Sequence, residues 1–129
     1  LARAGADVIE LGVPFSDPLA DGPTIQGSSQ TSLEGGGSLR TTLAALRAFR
    51  ETDRTTPVVV FTYLNPVFRH GVDAFLEEAL DAGADGVLLT DLPLGEDPEL
   101  EAKLEASPLA LVRLVAPTTP RDRARRIAA

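Results

Sequence analysis

Four short apolar runs recur along the chain, and a proline follows each of them closely. The runs are Asp7–Val13, Val58–Tyr63, Gly86–Thr90 and Leu109–Val115, and the prolines are Pro14, Pro66, Pro93 and Pro117. A run that is apolar at nearly every position, rather than at alternate positions, is typical of a parallel strand covered on both faces. Proline fits just past such a strand because it cannot donate to the ladder. The runs therefore predict a parallel sheet.

Helical patterns lie between the runs. Their boundaries are marked by Ser38, Gly83, Asp97 with Pro98, and Thr119 with Pro120. An additional short helix is predicted at 24–33, and the last pattern runs to Ala129. Two helix-to-strand junctions share the sequence Ala-Gly-Ala-Asp, at Ala4–Asp7 and Ala82–Asp85. Alternating strands and helices with a repeated junction favour a parallel α/β architecture.

The number of strands limits this architecture. Four βα units cannot close an eight-stranded barrel, so the expected fold is a single partial TIM (β/α)8 barrel over residues 1–129. A doubly wound sheet is the alternative. The chain opens on Leu1–Gly5, which has the pattern of a helix end, and it finishes inside a helical pattern. We therefore expect a fragment of a longer protein, incomplete at both ends.

Composition and charge argue against several classes of protein. The net charge of −7 argues against binding to nucleic acid or to an anionic membrane surface. The arginine-rich stretch Arg121–Arg126 is interpreted as a solvated helix face. No apolar run approaches the roughly 18 residues of a membrane span. Because the chain has no cysteine, disulfides and thiolate metal sites are excluded, which fits a reducing compartment, and a cytoplasmic location is expected.

Three further features receive structural interpretations. Gly35–Ser38 is glycine-rich but follows a helix rather than a strand, so it is interpreted as an interhelical connection and not a phosphate loop. His70 is the only histidine and has no partner ligands near it in sequence; it is expected in a surface loop, and no metal site is predicted. Asp91 follows the third run and suits a loop backbone or a substrate equally well.

The acidic residues of the first unit carry the strongest chemical signal. Glu10 stands among apolar strand residues, where an ionised carboxylate is costly to bury, so it either faces a polar cavity, is held protonated or pairs with a basic residue. Asp17 and Asp21 follow in a loop where each also suits a turn. Tyr63, at a strand end, either reaches a ligand or is a core residue. The pattern predicts an acid–base enzyme without a metal.

Five segments, in order along nearly the whole chain, resemble the tryptophan synthase alpha subunit family. They are Glu10–Gln26 (ELGVPFSDPLADGPTIQ), Tyr63–Phe68 (YLNPVF), Gly71–Phe75 (GVDAF), Asp85–Pro93 (DGVLLTDLP) and Leu114–Pro120 (LVAPTTP). The resemblance implies a TIM barrel and the aldol cleavage of indole-3-glycerol phosphate to indole and glyceraldehyde 3-phosphate, a step of tryptophan biosynthesis. It assigns proton transfer to Glu10 and acceptance of the indole N–H to Asp21.

The resemblance also implies a substrate pocket and a partner. The residues implied to line the indole pocket are Phe61, Tyr63, Leu88, Thr90 and Val115. Those implied to contact a beta subunit, in an alpha2-beta2 complex, are Pro14, Asp17, Pro18, Asn65 and Phe68. Pyridoxal phosphate is implied in the beta subunit, and no cofactor is expected in this chain.

Two alternatives stay open: a stand-alone indole-releasing lyase of the same family, and a non-catalytic half-barrel that serves as an interaction piece. The resemblance places the loops that hold the substrate phosphate beyond Ala129 and a first strand before Leu1. If residues 1–129 are the entire polypeptide, negligible activity is expected, because these contacts are missing.

Overall fold

The computed structural model describes residues 1–129 and contains four β-strands. They are β1 (Ile9–Gly12), β2 (Val58–Thr62), β3 (Gly86–Leu89) and β4 (Ala110–Val112). Each lies inside one of the predicted apolar runs, so all four strands are confirmed with shorter bounds. The outer strands β1 and β4 are shortened most, because each has a hydrogen-bonding neighbour on one side only.

Six α-helices accompany the strands. They are α1 (Pro23–Glu34), α2 (Leu39–Arg50), α3 (Leu64–His70), α4 (Val72–Ala82), α5 (Pro98–Ala106) and α6 (Arg121–Ile127), and a short 3-10 helix spans Ala2–Ala4. The helix expected at 24–33 is confirmed as α1. Ser38 caps α2 by accepting from the Thr41 N–H, and Asp97 caps α5 by accepting from the Leu100 N–H.

Two details of the helix prediction are wrong. No helix was predicted at 64–70, and His70 was placed in a loop; the segment forms α3, whose first N–H, that of Leu64, donates to the Asp91 carboxylate at 2.8 Å. A partner 27 residues away leaves no local signal. Thr119 does not cap α6, because its hydroxyl oxygen instead accepts from the Ala116 N–H at 3.0 Å.

The sheet is parallel throughout, and its strand order follows the chain, β1-β2-β3-β4. One face carries residues such as Val60 and Val87, which form the hydrophobic core with α2, α4 and α5. The opposite face carries Glu10, Phe61 and Leu88, which are outside that core. Sequential strand order with core helices on one face is the arrangement of a barrel wall, whereas a doubly wound sheet reverses its order and has helices on both faces.

The first strand is more exposed than its apolar sequence predicts. We expected strands covered on both faces, and this holds for β3, where every residue is buried. In β1 the residues alternate between half-buried and exposed, and Val8, just before it, is 54% exposed. The reason is position: β1 is an edge strand, and only its helix-facing side has neighbours to pack against.

A buried ion pair attaches β4 to α5. The Arg113 guanidinium lies 2.7 Å from the Glu101 carboxylate, with side-chain exposures of only 12% and 8%. Glu101 also accepts from the Gly95 N–H at 2.6 Å, and Arg113 reaches Glu105 at 3.2 Å. No local sequence pattern predicts this pair, because Glu101 is in α5 and Arg113 follows β4.

Arg50, at the end of α2, joins three segments near the start of the sheet. Its guanidinium donates to the Gly83 carbonyl at 2.8 Å, the Thr56 carbonyl at 2.8 Å and the Asp85 carboxylate at 2.7 Å. Asp85 in turn accepts from the N–H of Val58, the first residue of β2, at 2.7 Å. Gly83, the predicted end of a helix, adopts a left-handed conformation with φ at 89°, and a Cβ there would lie 2.8 Å from Cγ of Arg50.

Replacing Arg50 with methionine is expected to lower the free energy of unfolding by about 2 kcal/mol, because the carbonyls of Gly83 and Thr56 lose their donor. Arg47 is the matched control on the same helix, since its guanidinium pairs only with exposed groups, including Asp81 at 3.2 Å. Arg47→Met should cost about 0.5 kcal/mol or less. Urea unfolding followed by circular dichroism measures both, and equal losses would contradict the role given to Arg50.

Candidate active site

A cavity of about 490 Å³ lies at the carboxyl ends of β1 and β2. Its lining residues are Glu10, Gly12, Val13, Pro14, Asp21, Ile25, Ser28, Ser29, Ser32, Phe61 and Tyr63. The structure therefore brings together four of the residues predicted for catalysis and substrate binding. Two of these are the predicted acids, and the other two are aromatic, so the cavity combines carboxylates with a flat apolar wall.

Strand register places Glu10 in this cavity. Glu10 and Gly12 lie two residues apart on β1 and share a face, and Gly12 is paired with Phe61 of β2. The two alternatives that bury Glu10, as a protonated acid or in an ion pair, do not hold, because the residue lies on the open face of an edge strand and is exposed. None of the ion pairs of the chain involves it. Of the alternatives for Glu10, the structure supports the polar cavity.

The second acid, Asp21, is half-buried at the end of the loop that connects β1 to α1. Its backbone carbonyl accepts from the Gln26 side chain at 2.8 Å. The N–H of the preceding residue, Ala20, donates to the Tyr63 hydroxyl at 3.0 Å. These two hydrogen bonds attach the backbone before and after Cα of Asp21, and Asp21 itself lines the cavity.

Tyr63 is 2% exposed, and its ring lies against Phe15 with 5.4 Å between ring centroids. Burial raises the pKa of the Tyr63 hydroxyl, and the nearby Asp21 carboxylate raises it further, because a negative charge disfavours a phenolate beside it. Of the two possibilities left open for Tyr63, the structure shows a buried tyrosine whose hydroxyl is satisfied by loop backbone.

The other predicted pocket residues do not line this cavity. Leu88 is on the same sheet face as Phe61, one strand further along, and is 2% exposed. The Thr90 hydroxyl donates to the Thr62 carbonyl at 3.1 Å, so it is engaged with β2. Val115 lies beyond β4 and is 48% exposed.

The residues predicted to contact a partner are distributed around the same end of the sheet. Asp17 and Asn65 are exposed, and Phe68, on α3, is 53% exposed. Pro18 is half-buried. Pro14 is buried and lines the cavity.

Helix α1 also contributes to the cavity, and none of its residues was predicted there. Ile25, Ser28, Ser29 and Ser32 form one wall of it. Their spacing of three, four and seven residues is that of a single helix face, and this periodicity is the signal that identifies them as a group.

Two further residues considered in the sequence, His70 and Asp91, lie outside the cavity. His70 was expected in a surface loop; it ends α3 and lies half-buried, with its Nε2 3.2 Å from the Glu78 carboxylate. Asp91 forms a hydrogen bond to the backbone, because its carboxylate accepts from the Leu64 N–H. No cluster of three or more histidine or acidic side chains is arranged to hold a metal ion, and none of the helices has the length and apolar character to cross a membrane.

Comparison with known sequences gives one family. The sequence model of the tryptophan synthase alpha chain family matches residues 1–129. The tryptophan synthase alpha chain of Xanthomonas euvesicatoria pv. vesicatoria is 56% identical over 123 residues, which are 95% of this chain and 46% of that protein. That of Burkholderia thailandensis is 54% identical over 123 residues, 95% of this chain and 45% of that protein. The chain thus spans about half the length of the curated relatives it matches.

Solved structures give the same result. Tryptophan synthase subunit alpha from Legionella pneumophila strain Paris superposes with a TM-score of 0.90 at 41% identity, covering 98% of this chain and 48% of that one. A chain of the tryptophan synthase a2b2 complex from Pyrococcus furiosus superposes with a TM-score of 0.90 at 42% identity, covering 97% and 53%. The predicted partial TIM barrel is confirmed.

The raised pKa of Tyr63 predicts a titration that can be followed without interference, because this is the only tyrosine and the chain has no tryptophan. Near-ultraviolet absorbance should give a midpoint above 10.0 in the folded chain and about 10 in urea. The stability that this difference contributes is fully present below the unfolded pKa and is lost as pH rises through the folded pKa. Coinciding midpoints would show that the hydroxyl is not buried.

Proposed function

This chain belongs to the tryptophan synthase alpha chain family, and from that premise we propose that the whole protein cleaves indole-3-glycerol phosphate to indole and glyceraldehyde 3-phosphate. The observation that carries the proposal is that Glu10 and Asp21 line one cavity with the rings of Phe61 and Tyr63. Two carboxylates beside an aromatic wall suit a substrate that is a flat indole ring and that exchanges protons at two positions.

The proposed reaction is a retro-aldol cleavage. A proton added to C3 of the indole turns the ring into an iminium, and loss of the proton from the glycerol hydroxyl lets its oxygen form the aldehyde. The bond between C3 and the glycerol carbon then breaks, and its electrons restore the indole ring. Proton transfer of this kind needs a carboxyl group within reach of both sites. We assign it to Glu10, which projects from a strand and has no competing ion pair.

Asp21 is assigned to the other end of the ring. As the ring becomes an iminium, its N–H becomes a stronger donor, and a carboxylate that accepts it stabilises the transition state more than the ground state. The hydrogen bonds on either side of Asp21 support this role, since an acceptor held in place need not reorganise during the reaction. Phe61 and Tyr63 are assigned to the ring faces, and Leu88, Thr90 and Val115 to the more distant wall.

We further propose that a beta subunit binds at the carboxyl ends of the strands. The candidate contacts are Pro14, Asp17, Pro18, Asn65 and Phe68. Exposure of Asp17, Asn65 and Phe68 supports the proposal, as does the a2b2 complex formed by the Pyrococcus furiosus relative. In such a complex the beta subunit would hold pyridoxal phosphate and consume the indole, as part of tryptophan biosynthesis in the cytoplasm.

Replacing Glu10 with glutamine tests the central assignment. The amide keeps the shape of the side chain but removes the titrating proton, so indole release by the whole protein should fall by about 10²–10⁴-fold. Glu34→Gln is the matched control, because Glu34 is an exposed carboxylate at the far end of α1 and does not line the cavity. Near-normal turnover by Glu10→Gln would refute the assignment.

Replacing Asp21 with asparagine should reduce indole release less than Glu10→Gln does, because the amide oxygen can still accept the indole N–H. We expect a fall of about tenfold in kcat, of the size of one weakened charge-assisted hydrogen bond. The same assay with the same Glu34→Gln control measures it. A loss as large as that of Glu10→Gln would mean that Asp21 takes part in proton transfer itself.

Residues 1–129 expressed as a separate polypeptide are expected to release no indole above background. The reason is that the binding energy of the substrate phosphate, which the family obtains from later loops, would be lost together with the transition-state stabilisation it supports. A full-length relative assayed in parallel is the positive control. Turnover within about tenfold of that relative would show that this half of the barrel is sufficient for catalysis.

A further inference from the structure

We propose that Tyr63 is a positioning residue for the acidic loop, Pro14–Gly22: its hydroxyl accepts the Ala20 N–H and thereby holds the neighbouring Asp21 carboxylate at the cavity. Its effect on catalysis rests on the function proposed above for Asp21, whereas its effect on the loop does not. A role of this kind differs from that of a pocket wall, because it acts through another residue.

The acidic loop has few other hydrogen bonds to the rest of the chain. No backbone N–H of residues 14–22 donates to a backbone carbonyl, and Pro14 and Pro18 have no N–H to donate. Three hydrogen bonds hold the loop backbone: Ala20 N–H to the Tyr63 hydroxyl at 3.0 Å, the Gln26 side chain to the Asp21 carbonyl at 2.8 Å, and the Gln26 N–H to the Gly22 carbonyl at 3.0 Å. Only the bond to Tyr63 joins the loop to a different βα unit, so its loss should free the neighbouring Asp21 carboxylate.

The Tyr63 side chain is well placed for this role. It is 2% exposed and packs against Phe15, itself a residue of the acidic loop, at 5.4 Å between ring centroids. Because the ring is packed in place, the position of the hydroxyl oxygen is fixed. The loop contacts Tyr63 twice, through the Phe15 ring and through the Ala20 N–H. Burial and the Asp21 carboxylate both raise the pKa of the hydroxyl, so the neutral form that accepts the Ala20 N–H persists to higher pH than in a free tyrosine.

The backbone of Tyr63 is held from the next strand. Just before it, the Thr62 carbonyl accepts from the Thr90 N–H at 3.0 Å and from the Thr90 hydroxyl at 3.1 Å. Just after it, the Leu64 N–H donates to the Asp91 carboxylate at 2.8 Å. The end of β3 thus fixes the end of β2, and the end of β2 fixes the acidic loop that follows β1.

Tyr63→Phe in the whole protein tests the proposal, because it keeps the ring and removes only the hydroxyl. The first measurement is amide hydrogen exchange of the acidic loop without substrate, resolved at Ala20. Loss of one hydrogen bond should speed exchange of the Ala20 amide at least about fivefold, while amides of α4 should not change. Unchanged exchange at Ala20 would overturn the proposal, whatever the activity of the protein.

The second measurement is steady-state indole release. Mispositioning Asp21 removes a transition-state interaction, so kcat should fall about tenfold with KM nearly unchanged. In an Asp21→Asn background, Tyr63→Phe should have little further effect on kcat, because the residue it positions is already altered. A raised KM with unchanged kcat, or fully additive losses, would show that the hydroxyl acts on the substrate directly and not through Asp21.

Asp91→Asn is a second variant, which should affect the acidic loop by loosening the end of β2 that carries Tyr63. The amide keeps an acceptor for the Leu64 N–H but loses its charge, so Ala20 exchange should rise by a smaller factor than in Tyr63→Phe. Unchanged exchange at Ala20 would show that the end of β3 does not hold Tyr63 in position. If the protein proves to have no lyase activity, the exchange measurements alone decide the positioning role, and only the proposed function fails.

Discussion

Alternation of side chains across the parallel sheet is the constraint on which the rest of this structure depends. Because successive residues of a strand point to opposite faces, one set of positions packs against the helices and the other is left free. The pairing of Gly12 with Phe61, and of Phe61 with Leu88, fixes which residues share the free face. A shift of register by one residue would move Glu10 into the helix-packed core.

The sequence was sufficient to predict the four strands, most of the helices and the parallel order, because these depend on local periodicity and on caps such as Ser38 and Asp97. It was also sufficient to bring Glu10, Asp21 and Tyr63 forward as candidates. It did not reveal that Glu10 is exposed, since an apolar run reads the same in an edge strand and in a central one. Nor did it reveal α3, whose start depends on a distant carboxylate.

The contacts that could not be predicted share one property: they join the ends of different βα units. The pairing of Arg113 with Glu101, the hydrogen bond from Leu64 to Asp91 and the one from Ala20 to Tyr63 each connect separate elements. A local pattern specifies what each residue prefers, but the geometry of the assembled sheet decides which preference is met. For Tyr63, whose ring lines the cavity, that geometry gives the hydroxyl a partner in the backbone of a loop.

The location of Arg50 has a consequence for how such a chain can change. Its network with Asp85 and the N–H of Val58 lies where β2 begins, whereas Asp21 and Tyr63 lie past the ends of β1 and β2. The length of β2 therefore separates the groups that secure this helix-to-strand junction from the loop that carries Asp21. Mutations that adapt the protein to heat or cold can accumulate at one end while the chemistry at the other is left undisturbed.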